Sequence, residues 1–342
     1  MPRSWTFEKT GGRKEGVSIG IFSVEKGLYG PEVQVVAQSD ACTVYRFTGA
    51  DGEGIITGYR VFPGIELLYN DFRMGSCFTN KRAHPNIMEI NHCRRGRFEC
   101  EFDNGTCAYL EAGDLSVNLL SNRSKNPCFP LEHYDGVSVL IDIPEAADAI
   151  SSALENICID LYGLRERLCG DNCCFIMRAT ESVQHIFSEL YTVPDAVKPG
   201  YFKLKVLELL LFLSIADISG SQQQRLYFPK EQVEVIKRIK RHITENMERH
   251  YTLEMLSARF CIPLTTMKLC FKGVYGTSIY AFIRSYRMQA AALMLAQSCD
   301  SVTEIANRVG YSNASKFACA FKQTIGLPPL KYRRKAQLGK AP

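Results

Sequence analysis

Four side chains in the N-terminal half of the chain are of types that bind transition metals: His84, Glu89, His92 and His133. A β-strand brings residues two apart onto one face, whereas Glu89 and His92 are three apart and would point in opposite directions. The spacing therefore does not predict a metal centre. We interpret the histidines as packing or turn residues, unless a pocket for a small molecule uses them, and we expect no cofactor.

The 14 cysteines are scattered through a long chain, form no C-x-x-C pair and follow no apolar signal peptide. The pair in "DNCC", residues 171–174, could be redox-active, but adjacent cysteines rarely close a relaxed disulfide. We therefore expect reduced thiols. The longest apolar run, residues 207–216, is too short to span a bilayer and contains Glu208. These features predict a cytoplasmic protein without a membrane segment.

Small, polar and basic residues gather on one side of a helix that the sequence predicts after Gly310, opposite Phe317 and Phe321. A shorter helix precedes it: Ser301 and Glu304 form a capping box at its start, and Gly310 suits its end. Two short helices joined by a tight turn, the second with a small polar face, indicate a helix-turn-helix. The second helix of such a motif fits the major groove of DNA.

A second copy of this plan occupies residues 253–276 and also ends with a Phe-Lys pair and a glycine. Its turn contains Pro263, which suits a helix start, and in the later copy we expect Ser312 to cap the second helix. One match of this kind is a weak indication because helical hairpins are common. Two copies in register, separated by one long helix, are a much stronger indication.

The net charge of +5 conceals a division within the chain. Residues 231–342 hold 18 Lys and Arg against 7 Asp and Glu, whereas residues 1–230 hold 23 against 29. The last third is therefore a basic module. A basic module suggests a polyanionic partner, because each neutralised phosphate releases counterions, although basic surface is also common on solvated faces.

The last third of the chain, about residues 231–335, resembles the DNA-binding domain of the AraC/XylS family of bacterial transcription regulators. The positions that carry the resemblance are Phe271-Lys272, Gly276, Arg287 with Ala291, Ile305-Ala306, Gly310-Tyr311, Phe317, Phe321-Lys322, Gly326, Pro329 and Tyr332-Arg333. It implies two recognition helices, roughly residues 263–274 and 313–324, in successive major grooves about 34 Å apart.

The resemblance also implies which side chains meet DNA. The candidates for base edges are Thr265, Thr266, Lys268, Asn313, Ser315 and Lys316. The candidates for phosphates are Lys272, Lys322, Arg333 and Arg334. Family members often carry arginine two residues before the helix phenylalanine, where this chain has Leu269 and Cys319, so methyl contact to thymine or DNA shape is expected to supply part of the readout. We interpret Arg287 as a member of a structural ion pair.

Short alternating runs from residue 17 to about 143 predict an antiparallel β barrel or sandwich. In "RFECEFDNGTCAYLEAGD" the side chains of Phe98, Cys100 and Phe102 point one way and those of Arg97, Glu99 and Glu101 the other, and Asn104-Gly105 suits a tight turn. This pattern predicts a half-buried hairpin. The region also resembles a cupin-type barrel at His84, Glu89, Gly96 and Gly113-Asp114. Pro85-Asn86 replaces the usual second histidine, which implies that the metal is lost.

Helical spacing begins at Pro144. We predict an α+β multidomain protein with these parts: a cupin-like sensor domain over 1–143, a helical segment over 144–218, a linker over 219–230, an all-α AraC-type domain over 231–335 and a tail over 336–342. The helical segment either caps the β domain or pairs two subunits, because its apolar surface is broad.

These expectations describe a homodimeric transcription activator, not an enzyme, that binds double-stranded DNA, a small-molecule effector and RNA polymerase. The effector would shift the C-terminal domain across the linker through unequal affinity for two arrangements. Two alternatives stay open at this point. One is a cupin-type metal enzyme fused to a DNA-binding domain, and the other is an accessory DNA-binding protein that needs no ligand.

Overall fold

The structure, a computed structural model, describes residues 28, 33–49, 51–75, 84–102, 105–122, 128–154, 159–170, 174–216 and 227–338. A sheet-rich N-terminal half precedes a helical C-terminal half, so the predicted α+β fold class is confirmed. Several predicted features lie outside the described residues: the first strand at 17–24, Asn104, residues 171–173 of "DNCC", residues 219–226 of the linker and residues 339–342 of the tail.

An eight-stranded antiparallel sheet dominates the first half. Its strands are β1 (Val33–Gln38), β2 (Cys42–Gly49), β3 (Gly52–Phe62), β4 (Ile65–Arg73), β5 (Ile87–Gly96), β8 (Leu115–Leu119), β9 (Tyr134–Asp142) and β10 (Phe175–Met177). The order is β1-β2-β3-β4-β9-β5-β8-β10, and within the described ranges no ladder joins β1 to β10. The sheet is therefore open, which favours the sandwich over the closed barrel.

A second sheet of three strands, ordered β11-β7-β6, forms the other layer of the sandwich. Strands β6 (Phe98–Glu101) and β7 (Thr106–Leu110) form the predicted hairpin, and Gly105 has a φ of 77° in its turn. Strand β11 (Phe228–Pro229) comes from the end of the predicted linker and pairs with β7. Between the two sheets lies an apolar core that includes Cys100, Ala108 and Leu110 of the hairpin, Tyr45, Phe47 and Phe72 of the large sheet, and Phe129 from the segment before β9.

In the described residues, four helices cover the opposite face of the large sheet. They are α1 (Ile143–Ala153), α2 (Leu161–Cys169), α3 (Glu181–Leu190) and α4 (Lys198–Ile215). Their apolar side chains pack against strand residues such as Leu67, Ile90 and Val139. The helical segment therefore caps the sheet. Residues 175–177, near the start of the helix predicted over 177–192, form β10 instead, because three residues are too few to show a period.

The C-terminal half consists of seven helices in the described residues: α5 (Lys230–Glu245), α6 (Leu253–Phe260), α7 (Leu264–Tyr275), α8 (Ile279–Gln297), α9 (Val302–Arg308), α10 (Ala314–Ile325) and α11 (Pro329–Leu338). They form two apolar cores. The first joins α5, α6, α7 and the start of α8, and the second joins the end of α8 with α9 and α10. Helix α8 thus connects the two cores.

Among the described residues, no helix is long and apolar enough to cross a membrane. Each of the cysteines that the structure describes is a free thiol. Burial raises the pKa of several of these thiols, Cys93 and Cys107 among them, to about 12. Buried thiols with raised pKa values are unreactive, because the thiolate is the nucleophilic form.

Candidate nucleic-acid interface

The first helix-turn-helix motif consists of α6 and α7, Leu253 to Tyr275. Thr252 caps α6, because its hydroxyl accepts a hydrogen bond from the backbone N–H of Met255 at 3.1 Å. The chain then turns at Cys261, whose φ of 51° lies in the left-handed region. Helix α7 begins after Pro263, as predicted, and ends at Gly276, whose φ is 73°.

The second motif consists of α9 and α10, Val302 to Ile325. Its predicted capping box is present: the Ser301 hydroxyl accepts from the Glu304 N–H at 3.1 Å, and the Glu304 carboxylate accepts from the Ser301 N–H at 2.7 Å. Gly310 turns the chain at a φ of 80°. The cap of α10 is Asn313 rather than the predicted Ser312, because the two caps of this motif, Ser301 and Asn313, are one residue further apart than Thr252 and Pro263 of the first motif.

Each second helix buries one side and exposes the other. Met267 and Phe271 of α7 and their counterparts Phe317 and Phe321 of α10 are all 0% exposed. Of the predicted base-edge candidates, those with exposed side chains are Thr265, Lys268, Asn313, Ser315 and Lys316, and Thr266 is half-buried. The Asn313 carboxamide oxygen already accepts a hydrogen bond from the Lys316 N–H at 2.9 Å. The NH₂ group of Asn313 is therefore the part of the side chain that can donate to a base.

The four predicted phosphate contacts differ in their surroundings. Lys272, Lys322 and Arg334 are exposed. Arg333 is half-buried, and its Nη2 donates to the carbonyl oxygen of Asp300. This bond ties α11 to the turn before α9, so Arg333 is the one of the four that is engaged within the protein. Their contact with DNA stays a prediction.

Arg287 on the linking helix α8 has a structural role. Its Nε donates to the carbonyl oxygen of Met247 at 2.8 Å, and its Nη2 donates to that of Arg249 at 2.5 Å. Burial lowers the pKa of this guanidinium. The partners are carbonyl oxygens and not the carboxylate of an ion pair, so that prediction is wrong. The side chain fastens the segment before α6 to the helix that joins the two motifs.

One face of strand β6, predicted to be only half-buried, is covered by α5 and the end of α7. Glu99 is 2% exposed and Arg97 4%. The Glu99 carboxylate accepts from the Tyr109 hydroxyl at 2.7 Å and from the Lys237 ammonium of α5 at 2.9 Å. The alternation of residues in β6 predicted the correct face, but it carries no information on what covers that face.

Arg97 reaches the end of α7. Its Nη2 donates to the carbonyl oxygen of Gly273 and lies 3.1 Å from the Glu111 carboxylate. A Cβ at Gly273 would lie 2.2 Å from the ring of Phe228, and one at Gly276 would lie 2.8 Å from Arg97 Nη1. The two glycines therefore let the small sheet approach the recognition helix closely. We call this contact the sheet clamp, formed by Arg97, Glu99, Tyr109 and Phe228 with Lys237, Gly273 and Gly276.

The side chains considered as metal ligands do not converge. His92 stacks on Phe187 at 4.1 Å beneath α3, its Nδ1 lies 3.2 Å from the Tyr191 hydroxyl, and burial lowers its pKa to about 4. Glu89 projects from the other side of β5, and His133 Nδ1 lies 2.9 Å from the carbonyl oxygen of Leu131. In the part of the chain that the structure describes, no cluster of His, Cys, Asp or Glu could hold a metal ion.

Known proteins resemble the C-terminal part of the chain. Residues 256–335 match a family model described as a helix-turn-helix domain. The chain is 35% identical over 92 residues to the HTH-type transcriptional regulator ExsA of Pseudomonas aeruginosa, which covers 26% of this chain and 33% of that protein. It is 29% identical over 86 residues to a putative AraC-like transcription regulator of Streptomyces lividans, which covers 25% and 28% of the two chains.

Among solved structures, the C-terminal domain of AraT, a response regulator from Geobacillus stearothermophilus, is 28% identical. The alignment covers 30% of this chain and 84% of that chain, with a TM-score of 0.29. The chain spans about a third of the length of the two curated relatives, 33% and 28%.

The tandem motifs and the family match define a helix-turn-helix domain over residues 256–335. More narrowly, the C-terminal third is an AraC-type DNA-binding domain, which confirms the family resemblance seen in the sequence.

Proposed function

We propose that this protein is a sequence-specific transcription regulator that responds to a small-molecule effector. The observation that carries the proposal is the tandem of motifs, each burying an aromatic side of its second helix and exposing a polar side. The linking helix α8 has 19 residues, which corresponds to a length of roughly 28 Å. This length is comparable with one turn of DNA, about 34 Å, and suits two successive major grooves.

In the proposed complex the exposed side chains of α7 and α10 meet base edges. Lysine can bond guanine, and Ser and Thr hydroxyls tolerate several bases, so Lys268 and Lys316 would carry most of the direct readout. Thr265, Thr266, Asn313 and Ser315 would add contacts of lower selectivity. Lys272, Lys322 and Arg334 would position the domain on phosphates, with Arg333 contributing chiefly through its bond to Asp300.

The proposed effector acts through the sheet clamp. The end of the predicted linker, Phe228–Pro229, is itself a strand of the small sheet, and the clamp joins that sheet to α7. An effector that binds one arrangement of the two sheets more tightly than another would change the orientation or freedom of the first motif. The buried pair Glu99–Lys237 supports this route, because its two groups come from the two halves of the chain.

We also propose a homodimer that pairs through α4. Leu204, Leu211 and Ile215 are 66%, 39% and 84% exposed, and their spacing of seven and four residues places them on one side of the helix. Contact with RNA polymerase, in the role of an activator, completes the proposal, because the named relatives are transcription regulators. For the same reason the proposal includes no catalytic activity.

Selection of genomic DNA fragments by the purified full-length protein tests the proposal, followed by salt titration of the best fragment. We expect a recurring site of two short blocks about one helical turn apart, bound at least about 1,000-fold more tightly than random DNA. Uniform binding of all fragments would contradict sequence-specific regulation.

Two variants separate base contacts from phosphate contacts. Lys316→Ala should weaken binding to the selected site by about 1–3 kcal/mol and leave binding to random DNA nearly unchanged. Arg334→Ala should weaken both and lower the slope of log K against log salt by about 1. If the two variants behave alike, the division into base and phosphate contacts is wrong.

A further inference from the structure

The second motif contains an internal ion pair beside its first helix. Asp300 stands directly before the cap Ser301, and Arg308 stands seven residues after that cap. Arg308 Nη1 lies 2.6 Å from Asp300 Oδ2. The arginine of this motif is thus neutralised by a carboxylate from its own chain.

The first motif has the same arginine but not the acid. Arg259 stands seven residues after the cap Thr252, and the residue directly before that cap is Tyr251. Tyr251 is 7% exposed, and its hydroxyl donates to the carbonyl oxygen of Asn246 at 3.0 Å. In the described part of the chain no carboxylate lies within ion-pair distance of Arg259. The place that Asp300 fills in one motif therefore has no acid in the other.

A cleft of about 280 Å³ opens at this place. Its lining residues are His242, Arg249, His250, Tyr251, Met255, Leu256 and Arg259. The nearest acid to Arg249 is Glu248, at 3.8 Å, and both of these side chains are exposed to solvent. Tyr251 and Leu256 are buried and form an apolar wall, and Met255 is 57% exposed at the rim. The cleft therefore combines two guanidinium groups with apolar surface.

Arg249 and Arg259 place positive charge beside His242 in the cleft. The pKa of His242 lies below its usual value, first because the ring is partly buried and then because Arg259 and Arg249 repel its protonated form. Glu245 is the acid that opposes this effect. Removing positive charge from the cleft, or adding negative charge to it, should accordingly raise the pKa of His242.

We infer that this cleft binds a small organic oxyanion, a carboxylate or phosphate on an apolar body, with Arg249 and Arg259 holding the oxyanion and Tyr251 and Met255 contacting the apolar part. The second motif shows the chemistry, because there the equivalent arginine binds a carboxylate. The volume approaches that of small-molecule pockets and is larger than a bare oxyanion needs. The site lies on α5, α6 and the segment between them, apart from both sheets, and it does not depend on the proposed effector response.

Titration of the full-length protein with phenyl phosphate tests the inference. The histidines are labelled with ¹³C, and the His242 signals are assigned with His242→Gln. We expect a saturable shift of the His242 ring signals and a rise of its pKa with phenyl phosphate, and neither effect with benzamide, which is uncharged and of similar size. Absence of a saturable shift with phenyl phosphate would overturn the inference.

Arg259→Gln and Arg308→Gln form a matched pair of variants, because both arginines occupy the same position after a helix cap. The Arg259→Gln variant should bind phenyl phosphate at least about tenfold more weakly than the unchanged protein, because it loses a charged hydrogen bond. Arg308→Gln should bind within about twofold of the unchanged protein, since Arg308 lies outside the cleft. Equal binding by the two variants would overturn the assignment.

Tyr251→Asp places an acid where the second motif has Asp300. The new carboxylate should pair with Arg259 and abolish phenyl phosphate binding, and amide exchange of α6 and α7 shows whether the motif remains folded. If Tyr251→Asp folds and binds phenyl phosphate with unchanged affinity, the inference is contradicted. If Tyr251→Asp unfolds, the comparison of Arg259→Gln with Arg308→Gln tests the inference instead. If the His242 ring signals shift with a DNA duplex and not with phenyl phosphate, and Arg259→Gln abolishes that shift, the cleft binds DNA phosphates.

Discussion

The first helix-turn-helix motif packs against the small β-sheet, whereas the second packs, in the described residues, against helices of the C-terminal half. Cys107 and Tyr109 of the sheet belong to the same core as Phe271, whereas Phe321 belongs to a core with α8 and α9. The motifs share a capped first helix and a glycine end. The repeated local sequence pattern therefore determines the fold of each motif. The packing against the small sheet determines that, among the described residues, the N-terminal half contacts the first motif and not the second.

Ion pairs add to this difference. Lys230, Lys237 and Lys240 of α5 lie 2.6, 2.9 and 2.6 Å from Glu101, Glu99 and Glu132 of the N-terminal half. Exposed pairs of this kind contribute at most about 1 kcal/mol each. Glu99 differs because it is buried, so the loss of its partner would leave an uncompensated charge in a low-dielectric site.

Phe271→Ala and Phe321→Ala should have the largest effects. Both side chains are 0% exposed, so each replacement should cost about 3–5 kcal/mol of unfolding free energy. Because the first core includes the small sheet, Phe271→Ala should accelerate amide hydrogen exchange in β7 as well as in α7. Phe321→Ala should accelerate exchange in α9 and α10 and leave β7 unchanged. Equal exchange in β7 for the two variants would contradict the comparison.

Acid should weaken the large sheet and, through the sheet clamp, the first motif before the second. Burial lowers the pKa of His92 from 6.5 to about 4, so the unfolded chain binds this proton more tightly than the folded one. The stabilisation is complete above about pH 6.5 and decreases by up to about 3 kcal/mol as the pH falls towards 4. Urea unfolding at pH 7 and pH 4.5 measures the loss of stability. Hydrogen exchange at the two pH values shows whether the first motif is weakened before the second.

His92→Phe is the control for this acid effect. It keeps a ring to stack on Phe187 and removes the titrating group. The pH dependence of the large sheet should become shallower in this variant. An unchanged pH dependence would show that carboxylates, and not His92, account for the loss.

Features that depend on neighbours within one helical turn could be predicted from the sequence. The capping box of Ser301 and Glu304 and the burial of Phe317 and Phe321 are examples, since spacing alone determines which side chains meet. The predicted cap of α10 was wrong by one residue. Ser312 and Asn313 are both good caps, and only the length of the turn selects between them.

Contacts between distant parts of the chain could not be predicted. Glu99 and Lys237 are far apart in sequence, and the alternation in β6 assigns a face without saying what covers it. Arg287 was expected to meet a carboxylate, but backbone carbonyls, which every residue carries, can serve equally well as acceptors. The same limit applies to the cleft beside Arg259. It depends on Tyr251 standing where the second motif has Asp300, and the sequence alone does not show that this acid pairs with the arginine.

Glu99→Gln should release the first motif from the small sheet. Glutamine keeps the size of the side chain and can still accept from the Tyr109 hydroxyl, but it leaves Lys237 with the exposed Glu234, at 3.4 Å, in place of the buried carboxylate. The expected cost is about 2 kcal/mol, below the usual value for a fully buried pair because the Lys237 side chain is 30% exposed. Glu132→Gln, whose side chain is 68% exposed, should cost less than about 1 kcal/mol.

Hydrogen exchange distinguishes the two glutamate variants. Glu99→Gln should raise exchange in α5 and α7 and leave α9 and α10 as they were, whereas Glu132→Gln should change little in either motif. If Glu99→Gln lowers stability without changing exchange in α7, the buried pair does not hold the first motif to the sheet.

Gly276→Ala and Gly326→Ala give the smallest and most direct comparison. Both glycines end a recognition helix in the left-handed region, with φ values of 73° and 87°, so alanine costs about 1–2 kcal/mol of backbone strain at each. A Cβ at Gly326 meets nothing within 4 Å, whereas one at Gly276 lies 2.8 Å from Arg97 Nη1. Gly276→Ala should therefore cost about 1 kcal/mol more than Gly326→Ala.

A double-mutant cycle assigns that excess. Arg97 is held by the Gly273 carbonyl and by Glu111, so it cannot move away from a new methyl group without losing those bonds. In the Arg97→Ala background the Gly276→Ala cost should fall to that of Gly326→Ala, a coupling of about 1 kcal/mol, and Arg97 should show no coupling to Gly326. Urea unfolding of the four variants at one pH measures both couplings. Equal couplings would mean that the N-terminal half does not reach the first recognition helix through Arg97.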